Sequence, residues 1–164
     1  MKQKLKPFPL KQVLRLLIIT VGLISCSDPL PTTNAVRPIE LSALDKMVSK
    51  ADFSGLVVAM ASWCAPCRKE LPLLGELYRE YQDKGIRIMA ISLDADGPAA
   101  VQPLINELKI PFPVFWVGTA AVKHYKLLGV PTLLVFHHGR MQEKIPGSQS
   151  RQFIEQKIKN LLLS

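Results

Sequence analysis

Residues 56–72 read LVVAMASWCAPCRKELP, and the reading of this stretch decides the fold. Leu56 to Ala61 is a continuous apolar run, short enough for a strand buried on both faces. It leads directly into Ser62-Trp63 and then Cys64-Ala65-Pro66-Cys67. Beyond these, Leu71, Leu74, Tyr78 and Tyr81 recur at three- and four-residue spacing and mark the core face of a helix. Lys84-Gly85 is its stop, and a second strand is expected over Ile86 to Leu93. Two cysteines separated by two residues are a weak signal alone and a strong one at a strand-to-helix junction. In the first turn of a helix that spacing lets the sulfurs bridge, while the free backbone N–H groups and the helix dipole favour a thiolate on the first cysteine. Cys64 is therefore the candidate attacking thiol and Cys67, one turn in, the candidate resolving thiol. A structural disulfide and half of a zinc site are the competing readings. Zinc needs two further ligands, and His124 on an expected helix and His137 and His138 at an expected turn are poor suppliers, so no metal site is assigned.

Working outward, Leu41 to Lys50 reads as a short helix with Leu41, Leu44 and Val48 on one face. Asp94 to Pro98 is a turn able to cap a helix carrying Val101, Leu104, Ile105 and Leu108, which Pro103 either kinks or begins. PFPVFWV, residues 111–117, supplies a short or edge strand, and Thr119 to Leu128 reads as a helix. Thr132 to Phe136 and Met141 to Ile145 flank His-His-Gly-Arg as a hairpin, and Ser148 or Ser150 caps a last helix with Phe153, Ile154, Ile158, Leu161 and Leu162 inward. Strands alternating with helices imply an α/β domain over residues 39–164, its parallel core extended by an antiparallel edge.

The chain has 164 residues, enough for one good core, and a formal charge of +8. Five of its 21 basic residues, Lys2, Lys4, Lys6, Lys11 and Arg15, lie in the first 25 positions, where there is no acid. Without them 16 basic residues face 13 acidic ones, an ordinary solubility charge, and nucleic acid is not an expected partner. Leu14 to Leu23 is an apolar stretch behind that basic segment, too short to span a bilayer, and reads as the core of an export signal over residues 1–25. Leu23-Ile24-Ser25-Cys26 resembles a bacterial lipobox, which makes Cys26 a candidate lipid anchor; an ordinary signal peptide with a free cysteine is the alternative. Residues 26–38, with Pro29, Pro31 and Pro38, read as an extended tether.

Trp63-Cys64-Ala65-Pro66-Cys67 after an apolar strand, Pro72 five residues beyond the second cysteine, and Gly129-Val130-Pro131-Thr132 together resemble the thioredoxin superfamily over about residues 39–164. More narrowly, Trp63 to Pro72 resembles the W-C-x-P-C-x-x-E-x-P of the TlpA/ResA-type extracytoplasmic thioredoxins, with residues 97–116 as the helical insert before the second half of the sheet. The resemblance implies a thioredoxin fold and a thiol-disulfide oxidoreductase. It makes Pro131 a cis-proline facing the disulfide, where sequence alone favours trans. It also implies a substrate face of Trp63, Ala65, Pro66, Val130, Pro131 and Thr132. Val58 stands where cytoplasmic thioredoxin has a buried aspartate, and the resemblance gives that proton-relay role to Glu70; a simple favourable charge near the helix start is the other reading.

Direction follows from the central dipeptide. Strong oxidants of this superfamily tend to carry a histidine there, and Ala65-Pro66 is uncharged. The expectation is a reductant without a cofactor, recharged by a membrane electron donor, acting on disulfide-bearing proteins on the periplasmic side of the cell envelope. Cytochrome c maturation is one such setting, although the subgroup devoted to it carries G-V-P-E where this chain has G-V-P-T. An oxidase or isomerase running the exchange in reverse is an alternative. So is an SCO-like copper chaperone using His137 or His138, although its usual spacing is C-x-x-x-C. A peroxidase loop P-x-x-x-T-x-x-C is absent from Leu56 to Cys64.

Overall fold

The apolar run that opens the quoted stretch lies in the middle of a six-stranded sheet. The computed structural model describes residues 34–163, in the order β1 (Arg37–Pro38), α1 (Leu41–Val48), β2 (Gly55–Met60), α2 (Ala65–Tyr81), β3 (Arg87–Ser92), α3 (Pro98–Glu107), β4 (Val114–Trp116), α4 (Ala120–His124), β5 (Thr132–His137), β6 (Arg140–Pro146) and α5 (Arg151–Leu163). Strand order is β1-β4-β3-β2-β5-β6. The first four of these are parallel, whereas β5 runs antiparallel to β2 and β6 antiparallel to β5. This is the expected parallel core with an antiparallel edge.

All six residues of β2 are buried, as its uninterrupted apolar sequence requires, and alternate side chains feed two cores. On one face Leu56, Val58 and Met60 join Leu71, Leu74 and Leu77 of α2, Leu104 and Ile105 of α3, and Ile154 and Ile158 of α5. On the other, Val57 and Ala59 join Leu44 and Val48 of α1, Ala121 of α4, and Phe53, Leu134 and Phe136. Cys64 and Cys67 belong to the first core, so the thiols are built into the packing of α2.

Several expectations are corrected. Residues 34–38, read as the end of the tether, lie on the sheet: β1 pairs with β4, and the Val36 N–H donates to Gln102 Oε1 at 2.7 Å. Consequently β4, three residues long, is the short strand of the two alternatives and not an edge strand, with a neighbour on each side. Helix α3 starts at Pro98, in its first turn, and carries Pro103 on its exposed side, where the carbonyl left without a partner can face water. Helix α4 is five residues long rather than ten: Lys126 takes a left-handed φ of 50° and Leu127 and Leu128 leave the helix. Ser150, not Ser148, caps α5, accepting the Phe153 N–H at 3.2 Å. Of the apolar residues expected inward on α5, Ile154 and Ile158 are buried and Leu161 half-buried, whereas Phe153 and Leu162 are exposed. Among the described residues no helix is long and apolar enough to cross a membrane. The export signal, Cys26 and most of the tether lie outside the described residues.

Candidate active site

Strand β2 delivers the chain to the site at the carboxyl end of the parallel strands, and the turn from Ala61 to Cys64 hands it to α2. Cys64 is the N-cap residue of that helix, and its Sγ accepts the Cys67 N–H at 3.2 Å. A sulfur there receives one of the donors that the first helical turn leaves unsatisfied, as the sequence expectation requires. Cys64 and Cys67 form a disulfide with Cα atoms 5.3 Å apart. Both sulfur-bearing residues are recessed, Cys64 at 4% exposure and Cys67 at 1%, while Ala65 and Pro66 between them are exposed. Val58 is buried in the same core as Cys67 and offers no titratable group.

Glu70 lies one turn beyond Cys67 and is 1% exposed. Its Oε1 accepts the backbone N–H of Gln149 at 2.6 Å, whereas Oε2 is buried and has no hydrogen-bond partner among the described residues. Burial pushes this carboxyl above the ordinary glutamate value, against a smaller downward pull from the Gln149 N–H. A surface charge at the helix start does not describe such a group. It is a buried carboxyl able to hold or release a proton on the side of α2 that carries Cys67.

The Val130–Pro131 peptide bond is cis. Pro131 is buried and its carbonyl accepts the Gly147 N–H at 2.8 Å, while among the described residues the Val130 backbone has no hydrogen-bond partner. Thr132 is buried, and its hydroxyl donates to the Gly129 carbonyl at 2.7 Å, closing the turn. Trp63 is 73% exposed. It forms one wall of a groove of about 210 Å³ whose other sides are Leu93, Thr119, Val122, Leu127, Leu128 and the Gly129-Val130 backbone. Leu128, 90% exposed, was missed by sequence reasoning because it was assigned to a helix. The signal for it was present: two residues before Val130-Pro131, its side chain belongs to the loop that the proline turn presents. The Asp94–Pro98 turn was likewise read only as a cap, but Asp94 is buried and directed at Ser62 and Ser92, and α3 takes Gly97 as its N-cap.

His137 and His138 stand at the far end of the sheet from Cys64. Strand β5 starts opposite Ala59 and reaches Gly55 at Phe136, a run of four rungs or roughly 13 Å. Metal–ligand bonds of about 2.3 Å do not bridge that gap, so the copper reading through these histidines is not supported.

The comparisons with known proteins agree with this geometry. Residues 32–143 match the model of the AhpC/TSA family. The chain belongs to that family. It is 31% identical over 121 residues to the thiol-disulfide oxidoreductase ResA of Bacillus thuringiensis subsp. konkukian, an alignment covering 71% of this chain and 69% of the relative. In fold it is similar to a putative thiol:disulfide interchange protein DsbE from Chlorobium tepidum, with a TM-score of 0.63 at 22% identity over 73% of this chain and 84% of that one. It is also similar to StoA from Bacillus subtilis, with a TM-score of 0.57 at 20% identity over 65% and 82% of the two chains. The domain is a thioredoxin fold, and the protein is a thiol-disulfide oxidoreductase.

Proposed function

We propose that this oxidoreductase reduces disulfides of exported proteins in the bacterial cell envelope, held at a membrane by a lipid on Cys26. In each cycle the Cys64 thiolate attacks a substrate disulfide and the first substrate sulfur leaves as a thiolate that takes up a proton. Cys67, deprotonated, then attacks Cys64 Sγ, the second substrate sulfur leaves, and the Cys64–Cys67 disulfide remains. Two electrons pass to the substrate, and a membrane thiol donor returns them. Glu70 serves as the acceptor for the Cys67 proton in the second step. The substrate lies across Trp63, Ala65, Pro66 and the Val130-Pro131-Thr132 turn, with the unpaired Val130 backbone as its hydrogen-bonding edge.

The observation that carries the direction is the absence of charge in the dipeptide between the two sulfurs. Ala65 and Pro66 are neutral, and the nearest buried titratable group on α2 is the carboxyl of Glu70. Between the sulfurs nothing lowers the energy of the reduced thiolate beyond the helix terminus itself, and the guanidinium of Arg68, the residue after Cys67, is paired with Glu107 at 2.8 Å. The test is the reduction potential of the detergent-solubilised full chain, equilibrated in dithiothreitol and glutathione buffers. A value near or below about −250 mV is expected, and one between about −120 and −180 mV overturns the direction. Anchoring is tested separately: Cys26→Ser moves the protein from the membrane fraction to the soluble one, and an unchanged distribution refutes the lipid on Cys26.

A further inference from the structure

The turn Ala61–Cys64 carries both the attacking sulfur and one wall of the groove; its ends, Ala61 and Cys64, are buried, whereas Ser62 and Trp63 between them are half-buried and exposed. Trp63 projects into solvent, and the turn's internal backbone bond runs from the Cys64 N–H to the Ala61 carbonyl at 3.1 Å. Its hydrogen bonds to the next strand come from Ser62, and they end on one side chain. The Ser62 hydroxyl donates to Asp94 Oδ1 at 2.5 Å, and the Ser62 N–H is shared between Oδ1 and Oδ2 at 3.2 and 3.1 Å. Asp94 is buried at the end of β3, and its Oδ2 also accepts the Ser92 hydroxyl at 2.7 Å. Ser92 Oγ in turn accepts the Asp94 N–H at 3.2 Å, and the Asp94 carbonyl accepts Trp116 Nε1 at 2.7 Å. The Ser92 carbonyl holds the N–H groups of Val117 and Gly118, immediately before Thr119 in the groove wall.

Hydroxyls and amides, with no cation among the described residues, satisfy this carboxylate. A buried carboxyl held only by neutral donors is an expensive way to brace a fold, since an apolar residue of similar volume avoids the desolvation. It does give bonds of fixed length and direction. We propose that Asp94 and Ser62 are a positioning pair for the exchange reaction. Their bonds hold the Ala61–Cys64 turn against β3, so that Cys64 Sγ stays within reach of the Cys67 N–H and Trp63 keeps its place on the groove. The pair acts in the free reduced enzyme and again when a substrate covalently attached to Cys64 pulls on the turn. The inference rests on Cys64 being the attacking thiol, and it assigns no substrate contact to either residue.

Ser62 is half-buried and its replacement spares the core, which makes it the variant of choice. In reduced Ser62→Ala, the midpoint pH for alkylation of Cys64 by iodoacetamide rises, because the sulfur has lost its fixed place at the helix start. The kcat for insulin disulfide reduction falls about five- to tenfold with KM little changed. Ser62→Thr, which restores the hydroxyl, returns both values toward wild type. Asp94→Asn combined with Ser62→Ala is no worse than the more affected single variant, as for two groups acting through one bond. A brace for the fold alone lowers the melting temperature and leaves the alkylation midpoint in place; that result overturns the proposal, as does a shift that Ser62→Thr fails to reverse. Because the midpoint is read without any protein substrate, it tests the pair even if the wild-type chain reduces no disulfide.

Discussion

Cys64 and Cys67 are bonded to each other but occupy different chemical positions. Cys64 is at the helix cap beside an exposed dipeptide, and Cys67 is sealed within the core. This asymmetry sets what single substitutions do. Cys64→Ser abolishes exchange, whereas Cys67→Ser leaves an attacking thiol with no resolving partner, so the mixed disulfide with substrate accumulates and is visible on non-reducing gels. Equal loss without a trapped species in Cys67→Ser refutes the assigned order. Glu70 has its own signature. Its carboxyl is raised above the ordinary value of 4.5, so the folded state holds this proton more tightly than the unfolded chain does. The resulting contribution to stability is complete below about pH 4.5 and is lost as pH rises through the raised value. Glu70→Gln keeps an acceptor for the Gln149 N–H and removes the titration. Melting curves at about pH 4 and pH 8 therefore show the variant gaining on wild type at the higher pH; a gap independent of pH contradicts the buried, raised carboxyl.

Among the elements, the β5–β6 hairpin is sharply constrained at its turn. His138 and Gly139 form its two-residue turn with φ of 47° and 75°, the pairing expected of a primed turn. A Cβ on Gly139 would lie 2.4 Å from the Ser49 carbonyl oxygen and 2.7 Å from that of Lys50, both of them main chain. Gly139→Ala is therefore expected to cost about 1–3 kcal/mol in urea denaturation, from strain and crowding together. Ile158→Ala, which empties the face of α5 that closes over the sheet, costs about 2–5 kcal/mol by the same measurement. These elements were legible because periodicity and turn chemistry reside in consecutive residues: the strand before Cys64, the helix after it and His-His-Gly-Arg all announce themselves locally. What escaped depends on partners distant in the chain. The pairing of Arg37–Pro38 with Phe115 and Trp116 has no local pattern, and Asp94 reads as a turn residue until Ser62 is placed beside it. Leu128 reads as the end of a helix because apolar spacing continues past Lys126, where the backbone in fact turns left-handed.

At the scale of the molecule, the dithiol is part of the core and its redox state is therefore linked to global stability. Cys64 and Cys67 pack in one cluster with Val58, Leu71 and Leu74, so breaking their bond changes a region on which α2, α3 and α5 all rest. Oxidised and reduced proteins unfold to chains whose cysteines have ordinary potentials, and a thermodynamic cycle joins the four states. The potential of the folded pair departs from that of the unfolded pair by the difference between the two folding free energies, about 1.4 kcal/mol for every 30 mV. A strong oxidant is one whose reduced form is the more stable, because its thiolate is stabilised by the fold. Here the dipeptide is neutral, Glu70 is acidic and Arg68 is paired with Glu107, so the fold offers the thiolate chiefly the Cys67 N–H and the helix terminus. The oxidised protein is accordingly expected to melt at the higher temperature in calorimetry of the two forms at neutral pH. A reduced form that melts higher means that the fold favours the dithiol, and electrons then flow from substrate to this protein.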